Sequence, residues 1–387
     1  MNSQLGEAQE KLQRFEKFLK QDPNNIRLLE DSADLLISLG QAAEARKYLE
    51  DALALKRGDE GLRFKLGSAY LASGEAERAY EVYQNLVADG VKHPAVRYNQ
   101  AYAAFNAGRP AEAIEILDEI DQSGRAQLPR FLYLRARALY YARRNDEALA
   151  EIGQFVNRHP DDWDGLALQA QIVEDSGDLK TAASIAAKVL AVRPDDVVAN
   201  LVVGEVAMFM QQPDQAETYL RKVVALTPDN GRAWSALGFV AVERRQIDAA
   251  IEHFNRAVAR MPDHLGTWHG LAWSQILRND LVGARQSVEA AMQVDRTFAD
   301  NHGTLAVILF FQGKQDEAQQ AMKRGVRLNP KSAASLFAQS LLMSAKGDPA
   351  AGQATIRKII EGRRLPDGTT MEQAIARHVA ALGRPAK

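Results

Sequence analysis

The chain has 387 residues, 46% of them apolar and 25% charged, and its 48 Lys and Arg stand against 50 Asp and Glu for a net charge of −2. This composition excludes a disordered polar tail, and the charge balance argues against nucleic acid as a partner, because phosphate neutralisation needs a basic excess or stripe. The absence of cysteine excludes disulfides, thiolate metal sites and cysteine nucleophiles.

The opening residues, MNSQLGEAQEKLQRF, lack the basic-then-apolar run of a secretory signal. Leu12, Phe15, Phe18 and Leu19, followed by Pro23, read as the second helix of a repeat whose first helix is missing. Residues 1–25 are therefore an N-terminal capping helix or half repeat. Two readings stay open: a natural cap, or the start of a fragment of a longer protein with more repeats, a signal or a membrane anchor upstream. From there, ten helical pairs are predicted, beginning near residues 26, 60, 94, 129, 163, 197, 231, 265, 299 and 333 and ending by 366.

Residues 231–262 show the pattern. Trp234, Leu237, Gly238 and Ala241 recur at helical spacing, and Gln246-Ile247-Asp248 interrupts. Ala250, Ile251, Phe254 and Ala257 resume the spacing, and Met261-Pro262-Asp263 closes the unit, since proline cannot continue a helix from the inside. Turns within the pairs carry Gly40, Gly74, Gly108, Gly177, Gly313 and Gly347. The segment from Asp121 to Arg130 holds one extra residue and predicts a longer loop, a seam within one array. The most apolar stretches, Leu201 to Met210 and Leu305 to Phe311, fall short of the ~20 residues that cross a bilayer, so no direct membrane insertion is expected. After Gly362 a turn leads to Met371, Ile375, His378, Val379 and Leu382, the apolar face of a C-terminal capping helix and tail over 367–387. Arg357, Lys358, Arg363, Arg364, Arg377, Arg384 and Lys387 gather here; a solvated cap is the plain reading, an anionic partner the sharper one.

The period is 34 residues. Pro160, Pro194, Pro228 and Pro262 keep it, and Pro330 lies two periods on. Ala45, Ala79, Ala113, Ala148, Ala182, Ala216, Ala250, Ala284 and Ala318 form a column with a single one-residue slip. A second column reads Ala33, Gly67, Ala101, Ala136, Ala170, Gly204, Gly238, Ala272, Ala306 and Ser340. Small residues recur this way where helices cross closely, because a larger side chain there would overpack the contact by ~1–3 kcal/mol.

Residues 234–262 resemble the tetratricopeptide repeat family, whose pattern runs W-x2-L-G-x2-Y, then A-x3-F, then P. Trp234, Leu237, Gly238, Ala250, Phe254, Ala257 and Pro262 match it, with Ala241 where the family often has Tyr. Gly67, Tyr70, Ala79 and Tyr83 match it again. The resemblance covers about residues 6 to 366. It implies an all-α fold, a right-handed α-solenoid of about ten helix-turn-helix repeats with terminal capping helices.

Residues that carry chemistry are sparse. No phosphate-binding glycine loop, H-E-x-x-H or calcium loop occurs. His264, His269 and His302 fall near one another across adjacent repeats, but turn and surface roles suit them better than metal ligation. Asp161-Asp162 and Asp195-Asp196 follow closing prolines and suit helix N-termini better than catalysis. No enzyme active site, cofactor or metal is expected.

On the first helix of each pair, the small column and the residues four before and three after it pack against the second helix. A stripe at three before and at one, four and five after points ~130° away. The resemblance implies that this stripe lines the concave groove. In the third and fourth pairs it holds Tyr98, Tyr102, Phe105, Tyr133, Arg137, Tyr140 and Tyr141, five of the chain's ten tyrosines. In the fifth pair it carries Gln171, Glu174 and Asp175, and in the seventh to ninth Phe239, His269, Trp273, Phe310 and Phe311. Tyr and Trp dominate binding hot spots because they offer large area with a polar edge. Phe105, Tyr140 and Phe310 admit a second reading, packing between adjacent repeats. Some relatives clamp acidic C-termini through Lys, Asn and Arg on this stripe; here only Arg137 and Asn106 are of that type, and the asparagine ladder of another branch is absent.

The expected function is a protein–protein interaction scaffold that binds a partner peptide or protein segment in the groove, without nucleic acid. A structural assembly subunit or fragment of a larger bacterial secretion or envelope complex is one alternative. A regulatory module of an enzyme is another. Nothing in the chain separates a cytoplasmic from a periplasmic location.

Overall fold

The computed structural model describes residues 2–360; the capping helix expected over 367–387 lies outside the described residues. Every regular element among them is an α-helix. In chain order these are α1 (Asn2–Gln21), α2 (Ile26–Ser38), α3 (Ala42–Leu55), α4 (Glu60–Ala72), α5 (Ala76–Ala88), α6 (Pro94–Asn106), α7 (Pro110–Asp118), α8 (Gln122–Ala126), α9 (Phe131–Tyr141), α10 (Asn145–Arg158) and α11 (Trp163–Asp175). They continue with α12 (Leu179–Val192), α13 (Val197–Phe209), α14 (Pro213–Leu226), α15 (Gly231–Glu243), α16 (Ile247–Arg260), α17 (Leu265–Leu277), α18 (Leu281–Val294), α19 (Ala299–Phe311), α20 (Gln315–Leu328), α21 (Ala333–Ala345) and α22 (Pro349–Ile360). Apart from α1 and the short α8, they form ten pairs of an α-solenoid. The fourth first helix starts at Phe131, two residues beyond the expected 129.

The helix starts are written in side chains. Oδ1 of Asn25, Asp59, Asp196 and Asn230 accepts from the backbone N–H three residues on, at 2.9–3.1 Å. Each such cap contributes ~0.5–2 kcal/mol. The acids after the closing prolines act this way: Asp162 accepts from the Gly165 N–H at 2.9 Å, and Asp196 from Ala199. The extra residue near 121–130 makes a helical turn, α8, in place of the expected loop. Asp121 caps it by accepting from the Gly124 N–H at 2.7 Å. Arg125 then donates back to the carbonyls of Ile120 and Asp118, at 2.7 and 3.1 Å, satisfying acceptors left over at the end of α7 and just past it.

The chain divides within α11 into two compact units, Met1–Ile172 and Val173–Lys387. In the first unit one continuous core runs from Leu29 to Ile172, with Tyr83, Leu117, Ile152 and Phe155 among its fully buried large side chains. In the second, apolar clusters centre on Leu220, Phe254, Val288 and Met322. All nine alanines of the first column are fully buried, and the small column facing them is buried throughout.

The turn within each pair has one residue in left-handed backbone. Glycine holds that place at Gly40, Gly74, Gly108, Gly177, Gly313 and Gly347. Arg143, Gln211, Arg245 and Asn279 hold it in the remaining four pairs, with φ between 57° and 65°.

Candidate functional site

In the first unit, α6 and α9 bring most of the tyrosine stripe together. Tyr98, Tyr102, Phe105 and Tyr133 are half-buried, packed by one edge against the core. Arg137 lies over two of these rings, 4.7 Å from the centroid of Phe105 and 5.6 Å from that of Tyr133. Its guanidinium makes no ion pair among the described residues. Arg130, which the sequence did not single out, lies 4.3 Å from the centroid of the Tyr133 ring and is neutralised by Asp162 at 3.2 Å and Asp164 at 3.4 Å. Burial pushes the phenols of Tyr98 and Tyr133 up, with nearby arginines opposing it, so both stay protonated donors at neutral pH. No hydrogen bond within the described residues engages the hydroxyls of Tyr98, Tyr102 or Tyr133.

Tyr140 takes a different place from Tyr98, Tyr102 and Tyr133. Only 7% of it is exposed, and it sits in the core. Tyr141 next to it is 59% exposed and meets Phe105 edge-on at 5.3 Å. Phe105 thus divides its ring between the core edge and the Arg137–Tyr141 face.

The second unit carries two different surfaces. Near its start, Glu174 and Asp175 of α11 meet Glu205 of α13 around Arg232 of α15. Arg232 donates to Glu205 Oε1 at 2.9 Å, Glu174 Oε2 at 3.0 Å and Asp175 Oδ1 at 2.9 Å. Oε2 of Glu205 also lies 2.9 Å from the guanidinium, but off its N–H directions, giving attraction without a directed bond. One cation faces three carboxyls. Burial first, then Glu205, pushes Glu174 up to about 9, so it holds a proton at neutral pH. Burial raises Glu205 as well, against the pull of Arg232. The acidic stripe of the fifth pair is therefore an internal tie between successive first helices.

Further on, α17, α19, α21 and α22 border an open cavity of about 600 Å³ whose walls include His269, Trp273, Phe298 and Phe337. A second, of about 380 Å³, shares His269 and Trp273 and runs on to Phe239, Val242 and Leu277. Trp273 and Phe337 meet edge-on at 5.8 Å. Phe239 remains 40% exposed over Phe254, and Phe311 49% exposed against half-buried Phe310. Thus His269, Trp273 and Phe239 share one lined groove, while Phe310 and Phe311 line neither cavity. Phe298 and Asp300 lie off the stripe, and only the approach of α19 to α21 brings them in; Phe337 lies on it, three before Ser340, in the tenth pair, whose stripe the sequence reading did not take up.

The three grouped histidines have separate partners. His264 caps α17, with Nδ1 3.2 Å from the Thr267 N–H. His302 Nε2 lies 3.0 Å from the Arg296 carbonyl. His269 Nε2 lies 2.8 Å from Asn301 Oδ1. No helix among the described residues is long and apolar enough to cross a membrane.

Sequence profiles described as tetratricopeptide repeat match residues 2–63, 37–98, 70–138, 133–197, 175–238 and 299–332. No curated protein matches in sequence. Among solved structures, a human IFIT1 dimer with m7Gppp-AAAA is similar over 90% of this chain and 94% of its own, at 16% identity and TM-score 0.54. A human IFIT1 dimer with PPP-AAAA is similar over 93% and 94%, at 15% identity and TM-score 0.53. At such identity the likeness is one of fold. The repeat profiles, together with the ten helix pairs, place the chain in the tetratricopeptide repeat family, whose members serve generally as protein–protein interaction scaffolds.

Proposed function

We propose that the α6–α9 face of the first unit binds an extended segment of a partner protein. The observation that carries this reading is a set of donors without acceptors among the described residues: the hydroxyls of Tyr98, Tyr102 and Tyr133 beside a guanidinium, Arg137, that meets no carboxylate there. An extended segment supplies what such a face lacks. Its backbone carbonyls accept from the phenols, its side chains lie against the rings, and an acidic residue or chain terminus pairs with Arg137. Tyrosine suits the task because a rigid ring loses little entropy on binding. The overall charge balance, 48 basic against 50 acidic residues, supports a protein partner over nucleic acid.

The test is to capture partners with the intact chain, identify the bound segment by mass spectrometry, and titrate that segment. Tyr102→Ala with Tyr133→Ala should weaken it by ~2–4 kcal/mol, with the helical circular dichroism signal unchanged. Unaltered affinity in that folded double variant would refute the assignment.

A further inference from the structure

We propose that the aromatic-lined cavity beside His269 and Trp273 in the second unit is a binding site for a small organic cation, an ammonium or guanidinium nitrogen carried on an aromatic or alkyl body. Its size, about 600 Å³, lies in the range of ligand sites, and its walls are mainly apolar. Three rings line it, Trp273, Phe298 and Phe337, and the faces of such rings attract a cation electrostatically. The only formal charge among the described lining residues is Asp300, since none of them is Lys or Arg.

Asp300 is half engaged. Its Oδ1 accepts from the Ala334 N–H at 3.1 Å and from the Ser332 hydroxyl, which holds the carboxylate at the start of α21. No hydrogen bond or ion pair among the described residues takes its Oδ2. His269 does not supply the missing positive charge. Asn301 donates its amide N–H to the Asp295 carbonyl at 2.7 Å, which fixes Oδ1 toward His269 and places the imidazole proton on Nε2. Nδ1 then faces the Thr304 hydroxyl at 3.4 Å as an acceptor, and burial keeps the ring below the usual histidine range. The cavity thus combines aromatic walls, a neutral imidazole and one carboxylate oxygen without a partner. A cation with an apolar body complements all three.

The test uses the full chain and three isosteric probes followed by calorimetry: 3-phenylpropylammonium, 3-phenylpropanol and 3-phenylpropionate. The ammonium should bind at least about tenfold tighter than the alcohol, and the carboxylate weakest, as charge-assisted bonding and ring attraction require. Asp300→Asn keeps the Oδ1 acceptor and the α21 start, and should reduce the ammonium-to-alcohol ratio to within about twofold. Phe337→Ala should weaken all three probes. Equal binding of ammonium and alcohol by the unaltered chain, preference for the carboxylate, or no ammonium binding at millimolar concentration would each overturn the proposal, whether or not the variants fold. None of these outcomes bears on the tyrosine face of the first unit.

Discussion

Phe254 occupies the space where residue 238 would carry a side chain. A Cβ built on Gly238 would lie 2.6 Å from Cε1 of the Phe254 ring, and one on Gly270 would lie 2.5 Å from its Cζ. Phe254 is fully buried, so the ring has no open space to move into. The same relation joins Gly67 to Tyr83 and Gly204 to Leu220. Where the small column has alanine, as at Ala101, Ala136 and Ala272, the residue sixteen further on is Leu117, Ile152 or Val288. The small column therefore adjusts to what the second helix inserts: rings meet glycine, branched aliphatics mostly alanine.

Gly238→Ala should destabilise the second unit. Overpacking costs ~1–3 kcal/mol, and the gain in helix propensity of ~1 kcal/mol offsets only part of it. Adding Phe254→Leu should make the alanine at 238 less harmful than it is alone, a coupling that a double-mutant cycle in urea reads directly. Additive effects would show that the ring and the glycine do not constrain one another.

Arg245→Gly and Gln211→Gly should each stabilise the chain by about 0.5–1 kcal/mol. The left-handed backbone costs a non-glycine residue ~1–2 kcal/mol, against the ~0.5–1 kcal/mol of chain entropy that glycine adds to the unfolded state. Asn279→Gly should change little, since asparagine tolerates this conformation. Thermal melts of the three variants check the order.

Stability of the second unit should fall as pH rises from 6 to 9. Glu174 keeps its proton in the folded chain up to about 9 but releases it near 4.5 when unfolded. Its stabilising contribution is thus complete below 4.5 and is lost as pH climbs through the folded value. The slope is at most about 1.4 kcal/mol per pH unit for one proton. Glu174→Gln, which resembles the protonated form, should flatten that slope and leave α13 and α15 better protected from hydrogen exchange than the parent at pH 8. An unchanged slope would count against a proton held at Glu174.

Tyr133→Phe separates ring from hydroxyl. It keeps the surface under Arg130 and Arg137 and removes one donor. Partner affinity should drop by ~0.5–1.5 kcal/mol, less than for Tyr133→Ala. Equal losses for the two variants would place the whole contribution in the hydroxyl.

Much of the fold was legible because its signals are local. Period, pair count and the two small columns come from residues that must repeat wherever the same crossing repeats, and nine of the ten predicted pair starts coincide with the first helices. The candidate faces were legible only in outline. Tyr98, Tyr102 and Tyr133 lie together as the stripe implies, whereas Tyr140, four after its small residue, is buried in the core although Phe105 at the same count stays half-buried. Its fate depends on how much of each ring the neighbouring repeat covers, which spacing along one helix does not encode.

By itself, then, the order of residues determined a repeated pair of helices and where they touch, since close packing and backbone sterics act over short spans of chain. Tertiary structure alone decided which charges were met. Among the described residues, Arg137 without a carboxylate, Arg232 among three carboxyls and Asp300 with one oxygen unpaired differ in what neighbouring repeats bring within a few ångströms. Electrostatic partners are chosen by distance through space, and a column of letters thirty-four apart carries that distance only after the helices have packed.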